Sequence, residues 1–186
     1  MLEIRVRGTA PSQPAVFVWN HTSYIDSLIL TAELPPGAHF AAKREFASVP
    51  VLGWLLARLG TRFVERFDAR EAIEGARELA SAARAGESLV IYPEGTFTRA
   101  PGLRAFHMGA FVAAAQSARP VVPVALRGTR SVLRADSWLP RRAPVEVFIE
   151  APLAPRGSGW SDALALRDVA RRAILAHCGE PDRGAG

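Results

Sequence analysis

The sequence predicts an α/β fold: a single layered domain with a mixed, largely parallel central sheet flanked by helices. Short apolar runs rich in β-branched and aromatic residues alternate with longer segments of helical periodicity, which is the pattern of strands joined by crossover helices. The chain of 186 residues is 49% hydrophobic and 22% charged, enough for one proper core and close to the usual size of one domain. No internal repeat or low-complexity linker divides it, so residues 1–179 read as one domain and 180–186 as a flexible C-terminal tail.

The elements follow in order. "EIRVRG" (3–8) and "AVFVWN" (15–20) are strands separated by the turn-forming "TAPSQP". A helical segment covers 24–33, and "GAHFAAK" (37–43) is a short strand. "PVLGWLLARLG" (50–60) opens on proline and closes on glycine, the usual helix order, and is apolar on nearly every face, so it is either buried or in contact with lipid. "TRFVER" (61–66) is a strand. In "DAREAIEGARELASAARAG" (68–86), Asp68 can cap a helix and Glu71 completes a capping box; Ala72, Ala76, Leu79 and Ala83 form a small-residue stripe before Gly86 stops it. "SLVIYPE" (88–94) is a strand, "FHMGAFVAAAQSA" (106–118) a helix, and "PVVPVALRG" (120–128) a strand broken by Pro123. "PVEVFIEAPL" (144–153) is a further strand and "WSDALALRDVARRAILAHCG" (160–179) a final amphipathic helix, after which "EPDRGAG" reads as frayed.

Composition narrows the partners without choosing one. The formal charge is +5 and the sequence pI about 10.5. Lys43 is the only lysine, so the excess is arginine, whose planar fork suits phosphate. Nucleic acid, anionic lipid and phosphorylated small molecules are all compatible with that, as is a plain compositional bias. The chain lacks an aromatic-interleaved basic stripe and any nucleic-acid-binding motif, so no nucleic-acid partner is expected. No stretch supplies the ~18 apolar residues of a membrane-spanning helix, and "MLEIRVRGTAPSQP" lacks the apolar core of a secretory signal. The expected location is cytoplasmic, peripheral on the inner face of the cell membrane. The lone Cys178 can form neither an internal disulfide nor a zinc site by itself, and no structural metal is expected.

The polar residues concentrate where the strands end. "AVFVW" delivers Asn20 and His21, "HFAA" delivers Lys43, "RFVE" delivers Arg66, "SLVIY" delivers Glu94, Gly95 and Thr96, and "VVPVAL" delivers Arg127 and Arg130. If these strands run parallel, all of them converge on the rim where ligands collect in open α/β sheets.

"NHTSYID" places Asp26 five residues after His21. On one continuous helix such a pair points about 140° apart, at about 100° per residue. The two side chains meet if His21 lies in the turn after the strand and the helix begins at Ser23, with the Ser23 hydroxyl as cap and Asp26 at the third helical position. A carboxylate so placed fixes the imidazole tautomer and stabilises the imidazolium, which makes a general base with its orienter. The alternative is that Asp26 merely caps its helix. "YPEGTFTR" (92–99) supplies a second polar loop on the same rim, with Gly95 allowing close approach of the backbone to a ligand. No protein nucleophile accompanies the base: there is no GxSxG elbow, Ser23 is too near His21 in sequence, and Cys178 reads as a packed residue. The substrate must then bring the nucleophile, such as a hydroxyl that attacks an activated acyl group.

These motifs resemble those of the glycerolipid acyltransferases, the family that contains lysophosphatidic acid and glycerol-3-phosphate acyltransferases. "NHTSYID" is similar to its His-x4-Asp block, "GTRFVER" (60–66) to the second block, "YPEGT" to the third and "VVPVAL" to the fourth, in the family's order. "KREF…PVLGW" (43–54) resembles the segment preceding the second block, and the likeness spans residues 3 to 155. It implies transfer of a fatty acyl group from an acyl-CoA or acyl carrier protein thioester to the free hydroxyl of 1-acylglycerol-3-phosphate or a related lysolipid, with no cofactor beyond that co-substrate. His21 would be the base and Asp26 its orienter. Arg66 would contact the acceptor's phosphate, Glu94, Gly95 and Thr96 would line the acceptor site, and Lys43 and Arg99 would complete the substrate-binding set. Backbone amides near the third or fourth block would hold the oxyanion, and an apolar tunnel the acyl chain.

Two departures stand out. Phe97 occupies the place where the family usually has arginine, so either Arg99 reaches back or the acceptor carries a less charged head, a phosphodiester or an amino-acid lipid. The residues before the first block are not expected to form the membrane-binding helices that often precede it in relatives. Contact with anionic membrane is then expected from Trp54, Leu55 and Leu56 with Arg44 and Arg58 beside them. The competing expectation is a catalytically inactive lipid- or acyl-carrier-binding module of the same fold.

Overall fold

In the computed structural model the described residues are 3–23, 25–35, 37–43, 54, 61–64, 69–95, 100–133 and 139–184. β1 (Glu3–Arg7), β2 (Val16–Trp19), β3 (Ala38–Lys43), β4 (Arg62–Val64), β5 (Ser88–Ile91), β6 (Val121–Arg127) and β7 (Pro144–Ile149) form one sheet, ordered β1-β7-β6-β2-β5-β3-β4. Strands β2 to β6 all run the same way. β7 runs antiparallel to β6, and β1 lies parallel to β7 at the edge. The helices are α1 (Asp26–Glu33), α2 (Ala69–Arg84), α3 (Gly109–Ser117), α4 (Thr129–Val132) and α5 (Trp160–Cys178). The mixed, largely parallel sheet with flanking helices is the architecture the sequence predicts.

Side-chain alternation explains the layering. Along β2, Val16 and Val18 join the core that contains Leu79 of α2, Phe111 of α3 and Leu166 of α5, whereas Phe17 and Trp19 join the opposite core with Ile29 and Leu30 of α1. All four β2 residues are buried, as expected of a central strand covered on both faces. Small residues let two helices come close: Ala76, Ala80 and Ala83 of α2 and Ala110, Ala113 and Ala114 of α3 are all buried, and the two helices pack on each other.

Three expectations are corrected. The β6 strand is not broken by Pro123, which pairs with Val18 of β2 in unbroken register. On its other side the neighbouring chain takes one extra residue between Ile149 and Leu153, opposite Val124 and Val121, so the missing N–H falls at a bulge. Helix α1 starts at Asp26, not Ser23, and has no side-chain cap. The Ser23 hydroxyl instead donates to the Leu133 carbonyl at 2.8 Å. A one-turn helix, α4, also follows β6, just beyond the strand expected over 120–128. Residues 180–184 are held rather than frayed, with Leu103 and Asp182 forming a β-bridge. The helix expected over 50–60 lies outside the described residues except for Trp54, which is 62% exposed.

Candidate active site

Because β2 to β6 share one direction, the residues at their carboxyl ends gather on one rim. His21 follows β2 directly. The main chain there is fixed by Asn20, whose buried side chain donates to the Leu126 carbonyl and accepts from the Leu126 N–H, both at 2.8 Å. A carboxamide so placed continues the ladder between β2 and β6 by one more rung.

The turn that follows folds back on Asp26. Its Oδ2 atom accepts from the Thr22 N–H at 2.7 Å, from the Ser23 N–H at 2.8 Å, and lies 2.9 Å from His21 Nδ1. The carboxylate is fully buried, whereas the His21 side chain is 17% exposed. Asp26 therefore shapes the turn and orients the ring with one oxygen. Its other oxygen, Oδ1, is buried with no hydrogen-bond partner among the described residues. With Nδ1–H donating to the carboxylate, Nε2 carries the ring's lone pair. A positive charge developing on the ring would face a desolvated carboxylate, which is worth more than the same pair in water.

Glu94 sits beneath the same turn. Its Oε1 accepts the His21 N–H and its Oε2 the Arg104 N–H, each at 2.9 Å. Only 3% of the residue is exposed. Burial pushes its carboxyl up from the ordinary range, and the N–H bonds from Arg104 and His21 pull it partly back. Glutamine has one acceptor where glutamate has two, so Glu94→Gln must leave one of these N–H groups without its partner, at about 1–3 kcal/mol. A carboxyl raised by folding lends stability that is fully present below the unfolded value and is lost as pH climbs through the folded one. The stability gap between wild type and Glu94→Gln is therefore expected to narrow from about pH 4 to about pH 7. Urea melts at the two values check this; a gap that widens would contradict it.

Tyr92 packs under the imidazole, the rings stacked at 4.1 Å and 27°. Its hydroxyl lies 2.9 Å from Ser27 Oγ on α1. Burial, and then the Asp26 charge, push its phenol well above the usual range, so it stays neutral. Gly128, at φ 93°, makes the turn after β6; a Cβ there would stand 2.2 Å from the Pro144 carbonyl oxygen. The turn delivers Thr129, whose hydroxyl meets that of Thr22 at 2.7 Å. The loop after β5 turns at Gly95, also left-handed at φ 79°, and the His107 N–H closes onto the Pro93 carbonyl at 2.8 Å.

His21, Asp26, Glu94 and Gly95 thus share one rim. Lys43 ends β3, its main chain paired with Val64 of β4. Arg66, Thr96 and Arg99 lie outside the described residues. The sequence reading overlooked the ring-stacking role of Tyr92, although it stands inside the quoted "YPEGT", and the bridging role of Asn20. Cys178 is buried and burial raises its thiol, as suits a packed residue.

Residues 3–127 match the protein family described as Acyltransferase. A lyso-ornithine lipid O-acyltransferase of Pseudomonas aeruginosa is 38% identical over 124 residues, which is 67% of this chain and 47% of that protein. A 1-acyl-sn-glycerol-3-phosphate acyltransferase of Saccharomyces cerevisiae is 31% identical over 158 residues, 82% of this chain and 52% of that protein. The chain thus spans about half the length of these relatives. The crystal structure of the 1-acyl-sn-glycerophosphate acyltransferase PlsC from Thermotoga maritima superposes with a TM-score of 0.75 at 23% identity, covering 94% of this chain and 72% of that one; the fold is shared.

Proposed function

Because the chain belongs to the acyltransferase family, we propose that it transfers a fatty acyl group from an acyl-CoA or acyl carrier protein thioester to the free hydroxyl of a lysolipid. The observation that carries this reading is the buried Asp26 carboxylate 2.9 Å from His21 Nδ1, at the rim where the parallel strands end. In the reaction, Nε2 takes the proton of the acceptor hydroxyl while its oxygen attacks the thioester carbonyl. The tetrahedral intermediate then collapses, the C–S bond breaks, and the imidazolium returns the proton to the departing sulfur. An ester and a free thiol result.

The acceptor class follows from the relatives, whose names specify 1-acylglycerol-3-phosphate in one case and lyso-ornithine lipid in another. Phe97, where arginine is usual, favours an acceptor head less charged than a phosphomonoester. Arg66, by its place in the second block, would hold the head group. Arg66→Ala is expected to raise the acceptor KM roughly ten- to a hundredfold with kcat largely kept; an unchanged KM would remove that role. Among the described residues no helix is long and apolar enough to cross a membrane. Peripheral contact through 50–60 would bring the site to its lipid, and the exposure of Trp54 supports it.

Thiol release by the purified protein, measured against 1-acylglycerol-3-phosphate, glycerol phosphate and lyso-ornithine lipid, tests the proposal. Acceptor-dependent release with a lysolipid is the expected result. Binding of acyl thioester without release under any acceptor would point to the inactive module instead.

A further inference from the structure

The loop leading from Gly95 towards α3 passes through Gly102, Leu103 and Arg104, and its main chain is gripped from two sides. On one side the Arg104 N–H donates to Glu94, which also takes the His21 N–H. On the other side stands the segment after α5. The Gly102 N–H donates to Glu180 Oε2, the Leu103 N–H donates to the Pro181 carbonyl at 2.8 Å, and the Arg183 N–H donates to the Leu103 carbonyl at 2.9 Å. Arg171 of α5 adds bonds to the carbonyls of Leu103 at 3.1 Å and Arg104 at 3.2 Å, and pairs with Asp182. Glu180 Oε1 accepts from Arg130 Nε at 3.0 Å, so one carboxylate ties this loop to α4 beyond β6. Its side chain is 11% exposed, and Leu103 is anchored in the core at 1%, so water competes little for these bonds.

We propose that residues 180–183 clamp the active site, and that Glu180 is a positioning residue for His21. It acts through the loop 102–104 and Glu94, never touching substrate. Both N–H groups that Glu94 binds lie outside helix and strand, in a turn and a loop, so holding one of them in place fixes the other. With the clamp open, the loop loses its partners on the α5 side, Glu94 follows it, and the His21 main chain shifts. A displacement well under 1 Å is enough to lower the rate.

The kinetic part of this inference rests on the acyl-transfer reading; the structural part does not. Glu180→Ala is expected to lower kcat roughly 10- to 100-fold with the thioester KM nearly unchanged. Amide exchange should accelerate at 20–23 and 101–107 while α3 and β2 keep their protection. Glu180→Gln, which still offers an oxygen to Gly102, should recover most of the activity. Should the alanine variant fail to fold, Arg171→Gln loses the bonds to the Leu103 and Arg104 carbonyls and the pair with Asp182 while leaving Glu180 in place, and is read in the same way. Wild-type kcat together with wild-type exchange at 20–23 would overturn the proposal, as would exchange that accelerates equally throughout the sheet. If the wild-type protein itself releases no thiol, the acyl-transfer reading fails, and exchange at 20–23 still decides the clamp.

Discussion

Replacing His21 with alanine is expected to lower thioester turnover roughly 100- to 10,000-fold. Asp26, Glu94 and Tyr92 cannot take the proton in its place. Asp26 is fully buried, Glu94 spends both oxygens on main-chain N–H groups, and Tyr92 is held neutral. The fold should survive, because the turn is shaped by Asp26 accepting from Thr22 and Ser23 and by Glu94 accepting from the His21 main chain, none of which needs the imidazole. Stopped thiol-release assays alongside circular dichroism check both halves. Retained turnover in a folded variant would remove His21 from the chemistry.

Asp26→Asn should cost nearly as much, about 1,000-fold or more, because the neutral amide cannot stabilise an imidazolium. Its remaining oxygen can still accept from Thr22 and Ser23, so stability should change little. Asp26→Ala separates the two roles. It loses the same rate but also leaves two buried N–H groups without partners, at about 1–3 kcal/mol each. Equal melting points for the asparagine and alanine variants would show that the carboxylate does not shape the turn. Near-wild-type turnover with asparagine would show that its charge is not used.

What the sequence disclosed and what it hid follow from the range of the interactions. Strands such as Val16–Trp19 and Ser88–Ile91 are short apolar runs whose pattern is local, and helix α5 carries its own periodicity, so all were legible. The pairing of His21 with Asp26 was legible for the same reason: both ends of the contact lie within one turn. The start of α1 was not, since the hydroxyl of Ser23 is claimed by Leu133, 110 residues away. Pro123 looked like a strand breaker because the bulge that accommodates it belongs to a different strand. Residues 180–184 looked frayed because their partners, Gly102, Leu103 and Arg130, are distant in sequence and mostly main-chain groups, which leave no mark on composition.

The two rims of the sheet are wired differently. Away from the chemistry, α2 reaches β5 through residues 85–87 and α3 reaches β6 through 118–120, turns so tight that Gly86 and even Ala118 adopt left-handed backbone. On the reacting side, β5 and α3 are joined by the long excursion 92–108. Changes of length are therefore accommodated readily in that excursion, where they leave the strands and their packing as they are.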